Sequence, residues 1–256
     1  MVYAEERQQA IAALVMSKGR ASVADLAAAY DVTTETVRRD LAVLDRAGML
    51  RRVHGGAVPV RALHVVEKDV LERESTRADR KEAIARAATR FLPGSGGTLL
   101  LDAGTTTARV AALLPADREL TVVTNSVPIA ARLASMPSVS LQLLGGRVRG
   151  LTQAAVGEQA LRVLDTLRVD VAFIGTNGIT ARHGLSTPDS EEAAVKRAMV
   201  ASAGCVVVVA DSSKVGREDF VSFAPIGRVD LLITDSELSA EDTAQLTDFG
   251  VEVVVA

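Results

Sequence analysis

The sequence is poor in cysteine and has no apolar run long enough to cross a membrane. Cys205 is the single cysteine of 256 residues, so no disulfide can form within one chain, and a reducing compartment is expected. It lies in the run CVVVV, which favours a buried, unreactive thiol over a nucleophile. No stretch approaches the roughly 20 apolar residues of a membrane span, and the first ten residues lack a signal-peptide pattern. We expect a cytoplasmic protein with no membrane partner.

Metal-binding and catalytic patterns are also missing. His54, His64 and His183 have no metal-ligand spacing, and no Cys-x-x-Cys motif occurs. His183, beside a glycine, is read as a loop residue in preference to a general base. The dinucleotide fingerprint Gly-x-Gly-x-x-Gly is absent after the first strand-like run, and the sequence has no phosphate loop with the lysine of a kinase. We expect no metal, no cofactor and no catalytic residues.

The stretch at 31–57, DVTTETVRRDLAVLDRAGMLRRVHGGA, predicts a helix followed by a basic hairpin. Asp31 or Thr33 can cap this helix, and its apolar residues recur at spacings of four and three along one face. Two further helices are predicted at 5–16 and 23–29, the second capped by Ser22. Three short helices and a hairpin predict a winged helix-turn-helix. Its expected core is Ile11, Leu14, Val15, Leu26, Val37, Leu41 and Leu44.

This N-terminal region is a candidate for reading DNA. The formal net charge of the chain is -3, and residues 1–60 hold eight basic against seven acidic residues, so a DNA-binding surface must be a local patch. The third helix would enter a major groove, and the hairpin would grip the backbone or the minor groove. A solvated basic face on a structural subdomain is the alternative. The candidate contacts are Thr33, Thr34, Thr36, Arg38, Arg39, Arg51, Arg52 and His54.

The remainder of the chain alternates strand-like and helical stretches. Apolar runs at 98–102, 120–125, 139–145, 169–175, 205–211, 229–235 and 251–256 are separated by helical stretches at 105–114, 127–135, 157–167, 190–203 and 239–249. Continuous Val, Leu and Ile runs between helices indicate parallel strands buried on both faces, and hence an open α/β sheet. We expect a DNA-binding domain at 1–58, a partly ordered linker at 59–78 and an α/β domain at 79–256 that begins with a helix at 79–91.

Polar residues follow the carboxyl ends of five of these strands. Open parallel sheets bind ligands beyond that edge, and glycine with hydroxyl residues at a helix start suits a phosphate. A capped turn without a ligand is the alternative at 104–107, and a surface ion pair is the alternative for Glu192 and Lys196. For Arg147, the alternative to a ligand contact is an exposed arginine in a loop. The predicted pocket for a polar anion comprises Asp102, Gly104, Thr105, Thr106, Thr124, Asn125, Gly145, Gly146, Arg147, Asn177, Glu192, Lys196 and Lys214.

Both halves resemble the DeoR family of bacterial transcriptional regulators. The stretch TTETVRRDLAVLDRAGMLRRVHGGA is similar to the helix-turn-helix signature of the family. DAGTTT, TNS, LGG, GTNGI, GLSTPDSEEAAVKRAM and ADSSK are similar to its second domain, so the resemblance covers essentially the whole chain. It implies binding to operator DNA, release by a phosphorylated sugar or related metabolite, and a homodimer or homotetramer.

The resemblance further implies a second domain like ribose-5-phosphate isomerase. Gly104, Thr105 and Thr106 match the phosphate loop of that enzyme, whereas its acidic loop is replaced by the segment at 175–179, GTNGI, which has no carboxylate. Moving a proton between carbons needs a general base, so the pocket is expected to bind and not to catalyse. Lys214 and Glu192 would persist as ligand contacts. We predict a repressor of a sugar-utilisation operon; the alternative is a sugar-phosphate isomerase with an accessory DNA-binding domain.

Overall fold

The computed structural model describes residues 4–18, 21–47, 49–53, 56–59 and 69–256. The chain forms two compact units, Met1–Glu67 and Lys68–Ala256, which we call the N-terminal unit and the C-terminal unit. Within the described ranges, none of the helices is both long enough and apolar enough to pass through a membrane.

The N-terminal unit has the three helices and the strand pair expected from the sequence. In chain order its elements are α1 (Ala4–Lys18), β1 (Ala21–Ser22), α2 (Val23–Tyr30), α3 (Thr34–Arg46), β2 (Leu50–Val53) and β3 (Gly56–Pro59). The strands form a small antiparallel sheet in the order β1-β3-β2. The predicted helix-turn-helix with its hairpin is therefore confirmed.

Side-chain caps begin α2 and α3. Ser22 Oγ accepts a hydrogen bond from the amide of Asp25 at 3.0 Å, and Thr33 Oγ1 accepts one from the amide of Thr36 at 3.2 Å. Of the two capping residues considered for α3, Thr33 takes the role. Asp31 instead ends α2 in the left-handed region, with a φ of 49°.

The core of the N-terminal unit contains the predicted residues. Ile11, Val15, Leu26, Val37, Leu41 and Leu44 are buried, while Leu14 is half-buried at the edge of the cluster. Leu50 and Ala57 join this core from β2 and β3, so burial fastens the hairpin to the helices. A fully buried leucine contributes roughly 1.5–3 kcal/mol of hydrophobic free energy.

The C-terminal unit begins with two helices and continues as alternating strands and helices. In chain order its elements are α4 (Val70–Ser75), α5 (Ala78–Ala88), a 3-10 turn (Thr89–Phe91), β4 (Thr98–Leu101), α6 (Thr105–Ala112), β5 (Leu120–Thr124), α7 (Val127–Leu133), β6 (Val139–Leu143), β7 (Arg147–Arg149), β8 (Ala154–Val156), α8 (Glu158–Thr166), β9 (Val169–Ile174), β10 (Gly178–Thr180), β11 (Gly184–Thr187), α9 (Ser190–Ser202), β12 (Ala203–Val209), a 3-10 turn (Ser212–Lys214), β13 (Val221–Ala224), a 3-10 turn (Ile226–Arg228), β14 (Leu231–Thr234), α10 (Ala240–Asp248) and β15 (Glu252–Val255).

All seven predicted strands enter one parallel sheet, in the order β15-β14-β12-β9-β4-β5-β6. Alternate residues of β4 point to opposite faces: Leu99 and Leu101 join one apolar cluster and Leu100 the other. Helices α5, α6 and α7 cover the first face, and α8, α9 and α10 cover the second. The predicted open α/β architecture is confirmed.

The strand order reverses beside β4. From β4 the chain moves outward to β5 and β6, then returns to place β9 on the other side of β4, and continues to β12, β14 and β15. Such a reversal leaves a crevice beyond the carboxyl ends of the two central strands, which is the usual ligand position in open α/β sheets.

Five short strands of the C-terminal unit were not predicted. β10, β11 and β13 form an antiparallel sheet, and β7 pairs with β8. Each has only three or four residues, so a two-residue alternation of apolar side chains cannot become visible in the sequence.

The predicted linker at 59–78 contains a helix. Residues 60–68 lie outside the described residues, but α4 begins at Val70, and Asp69 caps it by accepting a hydrogen bond from the amide of Glu72 at 2.8 Å. The amide of Val70 donates to the carbonyl of Leu151 at 3.1 Å, which attaches α4 to the C-terminal unit. The helix predicted at 79–91 is α5 with its following 3-10 turn.

Candidate functional site

The exposed face of α3 carries three of the predicted DNA contacts. Thr34, Arg38 and Arg39 are exposed. Arg38 Nη1 lies 3.8 Å from Glu35 Oε2, and Arg39 Nε lies 3.5 Å from Glu35 Oε1. Ion pairs this exposed contribute at most about 1 kcal/mol, so the guanidinium groups can exchange Glu35 for a phosphate at little cost. The face is therefore available for an anionic partner.

Of the other predicted DNA contacts, the structure describes the side chains of Thr33 and Thr36 only. Thr33 and Thr36 place their hydroxyl oxygens 2.9 Å apart at the start of α3, where Thr33 also caps the helix. Arg51 and Arg52 lie in β2, but their side chains are outside the described residues, as is all of His54. Their contact with DNA stays a prediction.

A buried ion pair holds α3 against α1. Arg7 Nε donates to Asp40 Oδ2 at 2.7 Å, and Gln8 Nε2 donates to Asp40 Oδ1 at 2.8 Å. The hydrogen bond to Asp40 raises the pKa of Arg7, while burial opposes this shift. Counting charges along the sequence treated Arg7 as one more surface cation, although Asp40 neutralises it inside the fold.

A pocket lies at the point where the strand order reverses. Its lining comes from the carboxyl ends of β4, β9 and β12 and from the α4–α5 region. Gly104, Thr105, Thr106 and Lys214 are the predicted effector residues among its lining. The full lining is Arg73, Thr76, Arg77, Lys81, Gly104, Thr105, Thr106, Thr107, Gly175, Thr176, Val209, Ala210, Asp211, Ser213 and Lys214.

The loop after β4 presents a helix start to this pocket. Gly104 precedes α6 and gives it no side-chain cap, so the first-turn amides are not occupied by a capping oxygen. Thr105 and Thr106 are buried in the pocket wall, and Thr107 Oγ1 donates to the carbonyl of Gly104 at 2.8 Å. Uncapped amides, hydroxyl groups and the helix dipole together favour an anion.

Four cations and one carboxylate line the pocket. Arg73, Arg77, Lys81 and Lys214 oppose Asp211 alone. Burial lowers the pKa of Lys81 to about 8, with Asp211 opposing the shift, and burial also lowers the pKa of Lys214. Within the described part of the chain, neither lysine has a carboxylate at ion-pair distance. The pocket thus holds an excess of partly desolvated positive charge.

Arg77 and Asp211 form the one ion pair inside the described lining. Arg77 Nη1 donates to Asp211 Oδ1 at 2.7 Å, and the amide of Ser213 donates to the same oxygen at 3.2 Å. Burial would raise the pKa of Asp211, but the hydrogen bond from Ser213 Oγ and the charges of Lys214 and Arg77 outweigh it and lower the pKa. Arg77 has a φ of 55°, at the turn between α4 and α5.

Asp102 and Lys196, both predicted to bind the effector, are buried outside the pocket lining. Lys196 Nζ donates to Asp102 Oδ2 and, at 2.9 Å, to the carbonyl of Gly175. The amide of Gly175 donates to Asp102 Oδ2 at 2.9 Å. Burial raises the pKa of Asp102, and Lys196 opposes this shift. The pair therefore fixes the peptide of Gly175, which does line the pocket.

Thr124 and Asn125 also lie away from the pocket lining and support the strand ends. Thr124 Oγ1 donates to the carbonyl of Leu101 at 2.7 Å. Asn125 Oδ1 accepts from the amide of Ala103 at 3.0 Å, and its amide nitrogen donates to the carbonyl of Ala155 at 3.2 Å. Asn177 Oδ1 accepts from Thr187 Oγ1 at 3.3 Å. These side chains hold neighbouring loops in place.

The predicted glycines and Arg147 belong to the β7–β8 hairpin. Gly145, Gly146 and Arg147 are exposed, and Arg147 pairs with Glu191. Gly146 has a φ of 138°, and a Cβ there would lie 2.4 Å from the carbonyl oxygen of Val156. The hairpin itself therefore requires this glycine. Arg147 is exposed, as the alternative to a ligand contact states, but it lies in strand β7 and not in a loop.

The surface pair considered for Glu192 and Lys196 is wrong, because both residues are buried and each pairs elsewhere. Arg149 Nη1 donates to Glu192 Oε1 at 2.7 Å, and Thr152 Oγ1 donates to the same oxygen. Glu192 thereby ties α9 to the turn of the β7–β8 hairpin. Neither Glu192 nor Lys196 lines the pocket.

Several lining residues were missed in the sequence because they fall in or beside the predicted linker. Arg73, Arg77 and Lys81 are spaced four apart as on one helical face, but Arg73 lies in α4, Lys81 in α5 and Arg77 in the turn between them. That spacing therefore does not mark a single helix, and the mixed polarity around it concealed α4. In the described ranges, no group of three or more His, Cys, Asp and Glu residues could hold a metal ion.

Comparisons with known proteins agree in both halves. Residues 7–61 match the DeoR-like helix-turn-helix domain, and residues 76–236 match the DeoR C terminal sensor domain. The HTH-type transcriptional regulator GlpR of Haloferax volcanii is 39% identical over 249 residues, 97% of this chain and 96% of that protein. The glycerol-3-phosphate regulon repressor of Escherichia coli is 32% identical and covers 97% of both chains. A putative aga operon transcriptional repressor of Escherichia coli is 32% identical over 98% of this chain and 93% of its own length.

Among solved structures, ribose 5-phosphate isomerase A of Methanocaldococcus jannaschii is similar over 55% of each chain, with a TM-score of 0.41 and 18% identity. The three relatives above are named as regulators or repressors, and none is named as an enzyme. The expectation of a regulator, in preference to an isomerase, is thereby confirmed. With both domain matches in order and relatives aligned over nearly its full length, the chain belongs to the DeoR family of transcriptional regulators.

Proposed function

We propose that this protein represses transcription of a sugar-utilisation operon and that a phosphorylated sugar or polyol releases it from its operator. The observation that carries the proposal is the pocket at the strand-order reversal, where four cations face one carboxylate. In a chain with a DeoR helix-turn-helix domain and sensor domain, such a pocket is the natural place for an anionic signal.

The pocket chemistry supports a phosphate ester. The first turn of α6 supplies free amides and the hydroxyl groups of Thr105 and Thr106, which together suit phosphate oxygens. Burial disfavours the charged forms of Lys81 and Lys214. A bound dianion would offset this penalty by pairing with the two ammonium groups. The hydroxyl groups of Thr76, Thr176 and Ser213 already donate hydrogen bonds within the fold, so their oxygens can only accept hydrogen bonds from the hydroxyl groups of a sugar or polyol.

The names of two relatives support the repression of an operon or regulon, and one of them contains a phosphorylated polyol. One is a glycerol-3-phosphate regulon repressor, and another is a putative repressor of the aga operon. Both align with this chain over more than 90% of its length, so the sensor region is included. We carry over the class, a small phosphorylated carbohydrate, and not the compound.

On the DNA side, α3 would enter the major groove with Thr34, Arg38 and Arg39 toward the DNA, and Thr33 and Thr36 at the helix start. Arginine contacts of this kind are more often with phosphates than with bases. The hairpin residues Arg51, Arg52 and His54 would grip the backbone or minor groove. A protein acting in this way would work in the cytoplasm, where the operator is.

Release requires that the effector favour one arrangement of the DNA-binding units over another. We propose the segment at 59–78 as the place of that change, because it joins the N-terminal unit to the pocket helices α4 and α5. We also propose a homodimer or homotetramer, since helix-turn-helix proteins commonly read two half-sites with two copies. Light scattering on the purified protein measures the number of copies.

The test is a gel shift on the DNA upstream of the gene that encodes this protein. Matched pairs of phosphorylated and unphosphorylated sugars and polyols are added to the complex at fixed ionic strength, because salt alone weakens protein–DNA binding. We expect binding without ligand and release by a phosphorylated member only. DNA binding that no member of the panel alters would contradict the effector half. Absence of DNA binding at low salt, together with turnover of a sugar phosphate, would contradict the whole proposal.

A further inference from the structure

Arg109 on α6 connects three helices around the pocket. Its Nη2 donates to the side-chain Oε1 of Glu74 on α4 and, at 3.3 Å, to the main-chain carbonyl of the same residue. Its Nη1 donates to Glu82 Oε2 on α5 at 3.4 Å. The Arg109 side chain is only 21% exposed, so these contacts are less screened by water than an ordinary surface pair. Among the described contacts, none of the residues that line the pocket joins α4, α5 and α6 in this way.

Helix α4 depends on such contacts for its position. It has six residues, which is too short for a helix to be stable alone in water. Its main chain also makes hydrogen bonds with residues outside α4: among the described contacts, the amide of Val70 donates to the carbonyl of Leu151, and Lys81 Nζ donates to the carbonyl of Arg73. Arg73 lines the pocket and is the direct neighbour of Glu74. A clamp on Glu74 therefore also places Arg73.

We propose that Arg109 is a positioning residue for effector binding. By holding Glu74, it keeps α4 docked with Arg73 toward the pocket, and it connects the effector-binding start of α6 to the first described element after the N-terminal unit. Occupancy of the pocket then reaches the DNA-binding unit through α4. This inference rests on the proposed function of the pocket as the effector site.

The test compares Arg109→Met with a matched control and a rescue in the full-length protein. Arg86→Met is the control, because Arg86 also pairs with Glu82, at 3.3 Å, but is 72% exposed and does not contact α4 in the described contacts. The rescue combines Glu74→Arg with Arg109→Glu, which restores an opposite-charge pair between α6 and α4. Hydrogen exchange of the amides in 70–77 is followed by mass spectrometry, and the affinity for inorganic phosphate is measured by calorimetry.

We expect Arg109→Met to speed exchange in 70–77 by about fivefold to thirtyfold, with the central strands unchanged. The affinity for inorganic phosphate should fall about fivefold or more. Arg86→Met should change neither quantity, and the charge swap should restore both in part. A merely structural role would speed exchange throughout the unit and would overturn the proposal.

The outcomes separate this inference from the function it rests on. Phosphate binding by the wild-type protein that persists unchanged in Arg109→Met overturns the positioning role and leaves the effector pocket standing. Failure of the wild-type protein to bind any phosphate overturns the effector pocket and, with it, the positioning role. Exchange rates in 70–77 that are equal in the wild type and Arg109→Met also overturn the positioning role.

Discussion

Replacing Lys81 by methionine tests the pocket at its most buried cation. Lys81 is 6% exposed, and its Nζ donates to the carbonyl of Arg73 at the wall of the pocket. Methionine keeps most of the apolar length of the side chain and removes the ammonium group. The substitution therefore removes the charge with little change in packing volume.

The expected magnitudes follow from the burial of that charge. A hydrogen bond to a charged group contributes roughly 1.5–3 kcal/mol, so Lys81→Met should weaken binding of a phosphorylated effector by about tenfold to a hundredfold. The free energy of unfolding reflects two opposing changes, because methionine relieves the burial of the charge but leaves the carbonyl of Arg73 without its hydrogen bond from Nζ. Burial lowers the pKa of Lys81 to about 8, which means that the folded protein holds the charge at a cost on the order of 3 kcal/mol below that pH. Methionine removes this cost.

The assay is calorimetric titration with the phosphorylated compound that releases DNA in the gel shift, beside thermal unfolding of each protein without ligand. Arg80→Met is the matched control, because Arg80 lies on the same helix but pairs with Glu237 and Asp235 and does not line the pocket. Equal effector affinity in wild type and Lys81→Met would refute the assignment of the anion to this pocket. The melting temperature of Lys81→Met shows whether the relief of the buried charge or the loss of the hydrogen bond to Arg73 is the larger change.

Three further outcomes are expected. Effector affinity should decline as the pH rises above about 8, because a bound anion raises the pKa of Lys81 and deprotonation removes the attraction. Calorimetry in buffers of different ionisation heat should show proton uptake on binding near that pH. An effector affinity that does not change with pH would contradict this prediction. Asp40→Ala should cost the N-terminal unit about 3–5 kcal/mol in urea unfolding by removing one partner of a buried ion pair, whereas Arg7→Met with Asp40→Leu should recover most of the loss; no recovery would point to another role for the pair. Arg39→Gln should weaken DNA binding on all sequences and lower the slope of log affinity against log salt by about 1, and an unchanged slope would exclude a phosphate contact.

The sequence was sufficient for the architecture because each large element has a strong local pattern. The five central strands of the sheet are mostly buried apolar runs, as burial on both faces requires, whereas the edge strands β6 and β15 are half-buried or exposed. Ser126 and Ser239 cap α7 and α10, since a hydroxyl before a helix accepts from its free amides. The core of the N-terminal unit follows from helical spacing in the same way.

The pocket was only partly predictable, because adjacency in the sheet does not say which side chains point into the crevice. Asp102 and Lys196 satisfy each other below the pocket, and Glu192 is taken by Arg149 and Thr152. Residues at strand ends hold loops as often as they face a ligand, and partners distant in sequence decide between the two. No local pattern in α9 shows that its Lys196 meets Asp102, 94 residues earlier.

The cations of α4 and α5 were missed for a different reason. α4 has six residues of mixed polarity, and its position depends on hydrogen bonds from Arg109 and Lys81, which lie outside it. A helix stabilised by tertiary contacts leaves a weak local signal.

The central claim is that an anion in the pocket at the β4–β9 crevice controls DNA binding by the N-terminal unit. The most direct measurement is fluorescence anisotropy of a labelled upstream DNA fragment, titrated with wild-type and Lys81→Met protein, each with and without the releasing sugar phosphate. We predict equal DNA affinity for the two proteins without ligand, release of the wild type by the phosphorylated compound and not by its unphosphorylated form, and about tenfold or more additional compound for release of Lys81→Met. Release of both proteins at the same concentration, or release by the unphosphorylated form, would contradict the claim.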